Sequence, residues 1–403
     1  MKRLYLLPFV LFSLNTSAQE LEFSSDCATA QEIAPKGNHK FESFPIGYGE
    51  TLDISGNASN SIMYFQQEEN TAWFTFEALS DDYLVFKVYP TDTAADIDFM
   101  LFEYTDERFC EDLTRRKVKP IRSNISRYNT DELSVTGLSM GTQKEFVRSG
   151  PGSHFSKALK TEKGERYYLV LNNVYGTETG FSLSFEYYTT KELKGIVKDE
   201  ETGEPIGNAT VTWEEKHGEL LAETTTNSTT GEYSFSAPIK TGNRMREYVF
   251  SVDGKKYLFN ETVVATSEND TLERLTTLLP KLRSGLKMTL RNINFYGGSA
   301  APLPSSWTSF RRLLKLMRDN PSLVILIEGH TNGCYAGVGG VEHSQRLSEN
   351  RAFRVKRYLI KHDIVDNRMN TEGFNCSQML YQHPASSGEA SLNRRVELRV
   401  MDY

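Results

Sequence analysis

The hydrophobic period of the chain changes once, near Arg283, and that change limits the available folds more than any other feature. Before it, short runs alternate apolar and polar residues: TAWFTFEA, YLVFKVYP, IDFMLFEY, RYYLVLNN and FSLSFEYY, all between Phe23 and Tyr188. A period of two, broken by turn residues, predicts antiparallel strands with one face turned inward. After Arg283, Trp307, Phe310, Leu313, Leu314 and Met317 recur at helical spacing, with Ser305 or Ser306 as the expected cap. Leu347, Val355, Tyr358 and Leu359 predict a second helix. Strands expected at LKMTLRNINF, Leu323 to Ile327, around Met369 to Gly373, and Val396 to Met401 complete a βαβαββ-like order. The expected fold is therefore multidomain: two all-β sandwiches, then an α/β domain with helices on one face of a mixed sheet.

A chain of 403 residues exceeds what one hydrophobic core holds. The first residues combine Lys2 and Arg3, an apolar run to Leu14 and small residues ending at Ala18, the pattern of a secretory signal. The expected division is a signal peptide at 1–18, a jelly-roll-like sandwich at 19–190, a second sandwich at 191–283 and the α/β domain at 284–403. No later segment has the apolar length of a transmembrane helix. Net charge of -7 with dispersed lysines and arginines gives no basic stripe, which excludes nucleic acid as an expected partner. Export leads to an oxidising compartment where cysteines pair. Cys27 and Cys110 fall in the first domain and Cys334 and Cys376 in the last, so pairing within domains is expected, though the spacing leaves three connectivities open. No C-x-x-C or close Cys and His set favours zinc, and no metal or cofactor is expected.

Several segments resemble known families. Asp26-Cys27-Ala28, Asn70-Thr71-Ala72-Trp73-Phe74, Asp96-Ile97-Asp98-Phe99 and Gly164-Glu165-Arg166-Tyr167-Tyr168 together resemble exported jelly-roll modules common in the Bacteroidetes. An eight-stranded membrane barrel is the rival for this region. It needs strands of roughly nine to eleven residues with an apolar outer face, and Lys87, Glu103 and Glu186 interrupt the runs. Gly195, Gly203, Pro205, Gly231 and Tyr233 resemble the pattern of carboxypeptidase regulatory-like domains, which implies a transthyretin-like spacer.

Four motifs in order carry the resemblance that bears on function: Ile293-Asn294-Phe295, Ile327-Glu328-Gly329-His330-Thr331, Leu347-Ser348-Glu349-Asn350-Arg351-Ala352 and Asn393-Arg394-Arg395-Val396-Glu397. The last 120 or so residues resemble the OmpA-like peptidoglycan-binding family over their whole length. The resemblance implies a noncovalent site for the peptidoglycan stem peptide, through diaminopimelate, whose free end carries an ammonium and a carboxylate. By position the family's aspartate and arginine become Asn332 and Arg351, flanked by Thr331 and by Ser344, which stands where the family has asparagine. A guanidinium can hold a carboxylate through parallel hydrogen bonds that lysine cannot reproduce. Asn332 brings an acceptor without charge, which lowers the expected affinity, with Glu342 or Glu349 as possible sources of the missing charge. The segment from Asn332 to Leu347 is longer than in the family and rich in glycine, and a bridge from Cys334 to Cys376 would tether it beside the pocket.

His330 is expected in the pocket wall, with no nucleophile or orienting acid around it. Asn393 and Arg394 or Arg395 are expected to tie the last strand to the helix layer. Asp92, Asp96 and Asp98 lack a calcium-loop pattern and read as solvated acids. The expectation is a non-catalytic envelope protein of the periplasm, associated with outer membrane and cell wall. Its last domain binds peptidoglycan, and its first meets another envelope protein or a glycan. The alternative is a surface interaction or assembly protein, associated with secretion or gliding, whose peptidoglycan affinity is weakened or lost.

Overall fold

The computed structural model describes residues 24–54, 62–126, 133–150, 152–176, 179–290, 293–303, 306–333 and 340–403. The expected signal segment, Ser305 and Cys334 lie outside the described residues. The chain is mostly β, in several sheets, with few helices.

Two sheets face each other in the N-terminal region. The first runs in the order Gln31–Glu32, Thr71–Glu77, Arg166–Asn173, Ile97–Glu103, Arg122–Asn124 and Phe146–Val147. The second is built around Tyr83–Pro90 and Phe181–Asp199. Phe74, Phe76, Phe99 and Leu101 from one sheet meet Phe86, Val88, Leu183 and Phe185 from the other in a shared core. This follows the alternation that predicted the strands.

Thr71–Glu77 and Ile97–Glu103, however, are buried at nearly every position rather than at every second one. The reason is a second apolar layer on the outer face of the first sheet. Trp73, Met100, Phe102 and Val170 pack there beneath the helix Phe109–Thr114, together with Ile54 and Phe65. A disulfide between Cys27 and Cys110 ties the chain start to that helix. One expectation falls here. Asp96 and Asp98, expected as solvated acids, are instead 8% and 9% exposed. Asp92 is exposed.

The run FSLSFEYY does not stop at Tyr188. The strand Phe181–Asp199 pairs with Tyr83–Pro90 up to Tyr188, with Glu232–Lys240 from Tyr188 to Ile196, and with Leu275–Leu279 from Gly195 to Asp199. One continuous strand thus serves two cores, and backbone hydrogen bonds cross position 190 where a linker would loosen the chain. The second core packs against a four-stranded sheet that includes Thr210–Glu215 and Arg246–Asp253. At its centre Trp213 is fully buried, donates its indole N–H to the Pro238 carbonyl at 2.9 Å and stacks on Tyr248.

The C-terminal sheet has the order Lys287–Leu290, Val396–Asp402, Val324–Gly329 and Met369–Gly373, with only the last pair parallel. Helices Trp307–Asp319 and Gly340–Lys361 bring Phe310, Leu313, Met317, Ala352, Val355 and Leu359 against Ile325, Ile327, Val396 and Leu398. A short helix absent from the expected order, Ser387–Asn393, precedes the last strand and is capped by the Ser386 hydroxyl accepting from the Glu389 N–H. Trp307 sits at the margin, 36% exposed, against Tyr358.

The first of the two long helices also faces the middle β-unit. Arg312, 5% exposed, points away from its own domain core toward Glu214 at 2.8 Å, Asp253 at 3.1 Å and Glu261 at 3.4 Å, on three strands of the neighbouring sheet. Burial raises the Glu261 carboxyl to about 7 despite the guanidinium beside it. Removing that guanidinium leaves three acids buried without a counter-charge. Arg312→Ala should cost about 3–5 kcal/mol near pH 8 by denaturant unfolding. The loss should shrink on acidification, since protonated carboxyls no longer repel one another; a loss independent of pH would contradict the clamp.

Candidate functional site

Two glycines set the geometry of the site. A Cβ on Gly329 would lie 2.0 Å from the Ser348 carbonyl oxygen, and one on Gly373 would lie 2.4 Å from the Ser348 hydroxyl. Without side chains there, the helix Gly340–Lys361 seats directly on two adjacent strand ends. Ser348 completes the contact, donating to the Gln345 carbonyl at 2.7 Å and accepting from the Asn375 N–H at 3.1 Å. The next residue on that face of the helix, Arg351, is carried under the turn that follows Gly329.

Arg351 is completely buried. Its Nε donates to the Ser299 carbonyl at 3.1 Å, its Nη1 to the His330 carbonyl at 3.0 Å and its Nη2 to the Tyr296 carbonyl at 3.5 Å. The guanidinium lies over the Phe295 ring, 5.2 Å from its centroid. No carboxylate among the described residues pairs with it. Burial, helped by Arg394, pulls its pKa down to about 10. Neither expected acid answers it: Glu342 pairs with Arg346, and Glu349 accepts from Gln345.

The remaining predicted residues gather around one turn, 330–333. Thr331 is 3% exposed, its N–H donates to the Asn375 carbonyl at 2.8 Å, and its buried hydroxyl has no partner. Asn332 accepts through Oδ1 from the Asn393 amide at 2.8 Å. Asn393 is itself fully buried and also exchanges hydrogen bonds with the backbone of Tyr381. Ser344 donates to the Gly333 carbonyl at 3.3 Å. Arg351, Asn393 and Ser344 therefore grip successive parts of the turn that carries Thr331 and Asn332. Cys376, close to the turn's Asn375 contact, is disulfide-bonded.

A network that sequence reading missed lies on the open face of the same sheet. Glu328, His330 and Glu397 are the three acid or imidazole groups, among the described residues, whose candidate ligand atoms lie within 4.8 Å of one another. Cations already surround them: Lys287 at 2.9 Å and Arg399 at 2.5 Å from Glu328, and Arg395 at 2.7 Å from Glu397. A metal ion would have to displace these, so the arrangement is a salt-bridge lattice across three strands and not a metal centre. Its sequence signal was the polar half of the alternation in Val396–Asp402, together with Glu328 at the end of the apolar run, and it becomes visible only once the register of the two strands is known.

His330 sits at the edge of the lattice, its Nε2 3.8 Å from the Glu397 carboxylate. It is fully buried, neither ring nitrogen has a hydrogen-bond partner, and the ring stacks on Phe374 at 5.5 Å. Burial first, then Arg395, holds its pKa down at about 4. The unfolded chain therefore binds a proton at this position before the folded one does, and stability falls as pH drops from about 6.5 toward 4. The integrated effect is about 3 kcal/mol. His330→Phe, which keeps the stack, should flatten this acid limb without loss at pH 7; an unchanged limb in urea titrations at pH 4 to 7 would assign the acid sensitivity elsewhere.

A family model described as the OmpA family matches residues 294–394. Outer membrane porin F of Pseudomonas fluorescens is 31% identical over 97 residues, covering 24% of this chain and 28% of the relative. Outer membrane protein A of Buchnera aphidicola subsp. Schizaphis graminum is 28% identical over 120 residues, covering 27% of this chain and 33% of the relative. The chain thus spans about a third or less of these curated relatives. Among solved structures, the peptidoglycan-associated lipoprotein from Burkholderia pseudomallei aligns at 21% identity with a TM-score of 0.25, covering 27% of this chain and 89% of that one. The periplasmic domain of Helicobacter pylori MotB aligns at 21% identity with a TM-score of 0.27, covering 30% and 76%.

Proposed function

Residues 294–394 are an OmpA family domain, and on that premise we propose that the domain binds the peptide stem of peptidoglycan noncovalently, with a stem carboxylate on Arg351. The observation that carries this reading is the buried guanidinium with no carboxylate beside it among the described residues. Isolated charge is costly to bury, and protein carbonyls compensate it only in part. A ligand carboxylate supplies the full negative charge and the parallel acceptor geometry. It enters by replacing the carbonyls of Tyr296 and Ser299, the first of which is the longest of the three contacts. Tyr296 is 51% exposed, so this side of Arg351 is the one close to solvent.

Asn332 takes the ligand ammonium. Its Oδ1 accepts from Asn393 and has a second lone pair for the ligand. The contact lacks charge, so binding is weaker than through a carboxylate by about tenfold. No step in this reading breaks a covalent bond, and the protein acts as a binder, not an enzyme. The β-units before it, joined through the shared strand Phe181–Asp199 and the Arg312 clamp, carry the site as a stiff arm in the cell envelope toward another envelope component. No helix among the described residues is long and apolar enough to cross a membrane.

A second reading has its own support. Complete burial of Arg351 beside an uncharged Asn332 also suits a domain that has given up peptidoglycan and serves assembly through its surface. Retention of the full chain on purified sacculi separates the two. We expect Arg351→Ala to abolish retention, with a thermal melt confirming that the variant stays folded, and Asn332→Asp to tighten it by about tenfold. No retention of the parent would favour the second reading, and equal retention of all three proteins would mean nonspecific sticking.

A further inference from the structure

The net charge of -7 is unevenly shared along the chain. Residues 284–403 hold 16 lysines and arginines against 10 aspartates and glutamates, a balance of +6, which leaves -13 on the residues before them. From Asn350 to Lys361 there are five cations and no acid. Two of the five are already engaged: Arg351 is buried, and Lys356 pairs with Asp366. The other three, Arg354, Arg357 and Lys361, recur every three or four residues on the exposed face of the helix Gly340–Lys361. They make no ion pair and no side-chain hydrogen bond among the described residues. Other exposed cations of the domain are paired in the ordinary way, Arg346 with Glu342 and Lys315 with Asp319.

The helix Trp307–Asp319 extends this face. Its exposed Arg311 donates to the Gly218 carbonyl at 2.7 Å and its exposed Arg318 to the His362 carbonyl at 3.2 Å, and neither has a carboxylate at ion-pair distance among the described residues. Both positive charges reach the Tyr358 hydroxyl, which places them beside the second helix. Apolar side chains stand among the five cations: Phe353 is 49% exposed, Ile360 41% and Trp307 36%. Unpaired cations with exposed apolar residues between them suit a helix face that lies on an anionic lipid surface. The charges are drawn to the phosphate headgroups, and the apolar side chains enter the layer beneath. The linear sequence hides the patch, because it comes from two helices that only the fold brings together.

We infer that the outer face of these two helices docks on a bilayer containing anionic phospholipid. A rigid acidic protein would have to match five cations of unequal spacing one by one, whereas mobile lipid phosphates adjust to them. The division of charge orients the contact: the domain at +6 is drawn to the surface, and the residues before it, at -13, are held off. The contact is peripheral and crosses no membrane. None of the five cations belongs to the Arg351 site, so the inference goes beyond the peptidoglycan reading and does not depend on it.

The test sediments the full chain with vesicles of phosphatidylcholine, alone or with about a third phosphatidylglycerol. We expect binding to the second kind only, weakening as salt rises. Trp73 and Trp213 are fully buried, so the emission of Trp307 reports the contact and should move to shorter wavelength on anionic vesicles. Changing Arg354, Arg357 and Lys361 together to Gln should lower the affinity about a hundredfold, at about fivefold per cation. The melting temperature should hold, since all three side chains are exposed. Phe353→Ser and Ile360→Ser should each weaken binding about tenfold. A control carrying Lys216→Gln, Arg274→Gln and Arg283→Gln loses the same charge from exposed ion pairs before residue 284 and should bind like the parent. The inference fails if anionic vesicles do not sediment the chain, if binding leaves the Trp307 emission unchanged, or if the control loses as much as the helix variant. It fails too if Phe353→Ser and Ile360→Ser change nothing while a soluble acidic peptide binds as tightly as the vesicles, which would make the face a protein-docking surface.

Discussion

One buried positive charge organises the C-terminal domain. Arg351 reaches the carbonyls of Tyr296, Ser299 and His330, and so joins the segment before the first helix to the turn after the central strand. It can stand there because Gly329 and Gly373 let its helix approach the strand ends to a distance no side chain would permit. Among the described residues, the same contacts leave the guanidinium without a carboxylate. A structural role alone would be served as well by a neutral donor, at a lower desolvation cost. On the proposed reading, the charge answers a ligand group of the opposite sign.

The route to that site runs through the β-units. A strand of 19 residues belongs to two cores, and Arg312 draws three acids of the middle unit onto the first helix of the last domain. Modules joined this way do not swing freely, in contrast to a string of spacers linked by flexible segments. Whatever the N-terminal unit holds is therefore kept at a set distance and orientation from the Arg351 site.

Much of this was legible in the residues. The strands Tyr83–Pro90, Arg166–Asn173 and Met369–Gly373 fall where alternation and apolar runs put them, and the helix face at Phe310, Leu313 and Met317 packs as its spacing demands. The four predicted residues, Thr331, Asn332, Ser344 and Arg351, gather around one turn. What escaped was long-range. Periodicity cannot say that the strand starting at Phe181 continues to Asp199, because both of its cores impose the same period. Nor can it distinguish a solvated aspartate from Asp98, which is buried beside the segment bearing Gln66, Gln67 and Glu69. Arg312 reads as the polar side of an amphipathic helix until the neighbouring sheet appears beside it.

The claim on which the account rests is that the Arg351 guanidinium exchanges backbone carbonyls for a ligand carboxylate. The most direct measurement follows the Arg351 side-chain N–H signal in arginine-labelled full-length protein, assigned with Arg351→Lys, as a diaminopimelate-containing stem peptide is added. The account predicts a saturable shift of that signal, accompanied by the backbone amides of Ser299 and Asn332. A resonance that stays fixed at saturating peptide, while signals elsewhere on the domain move, would contradict it.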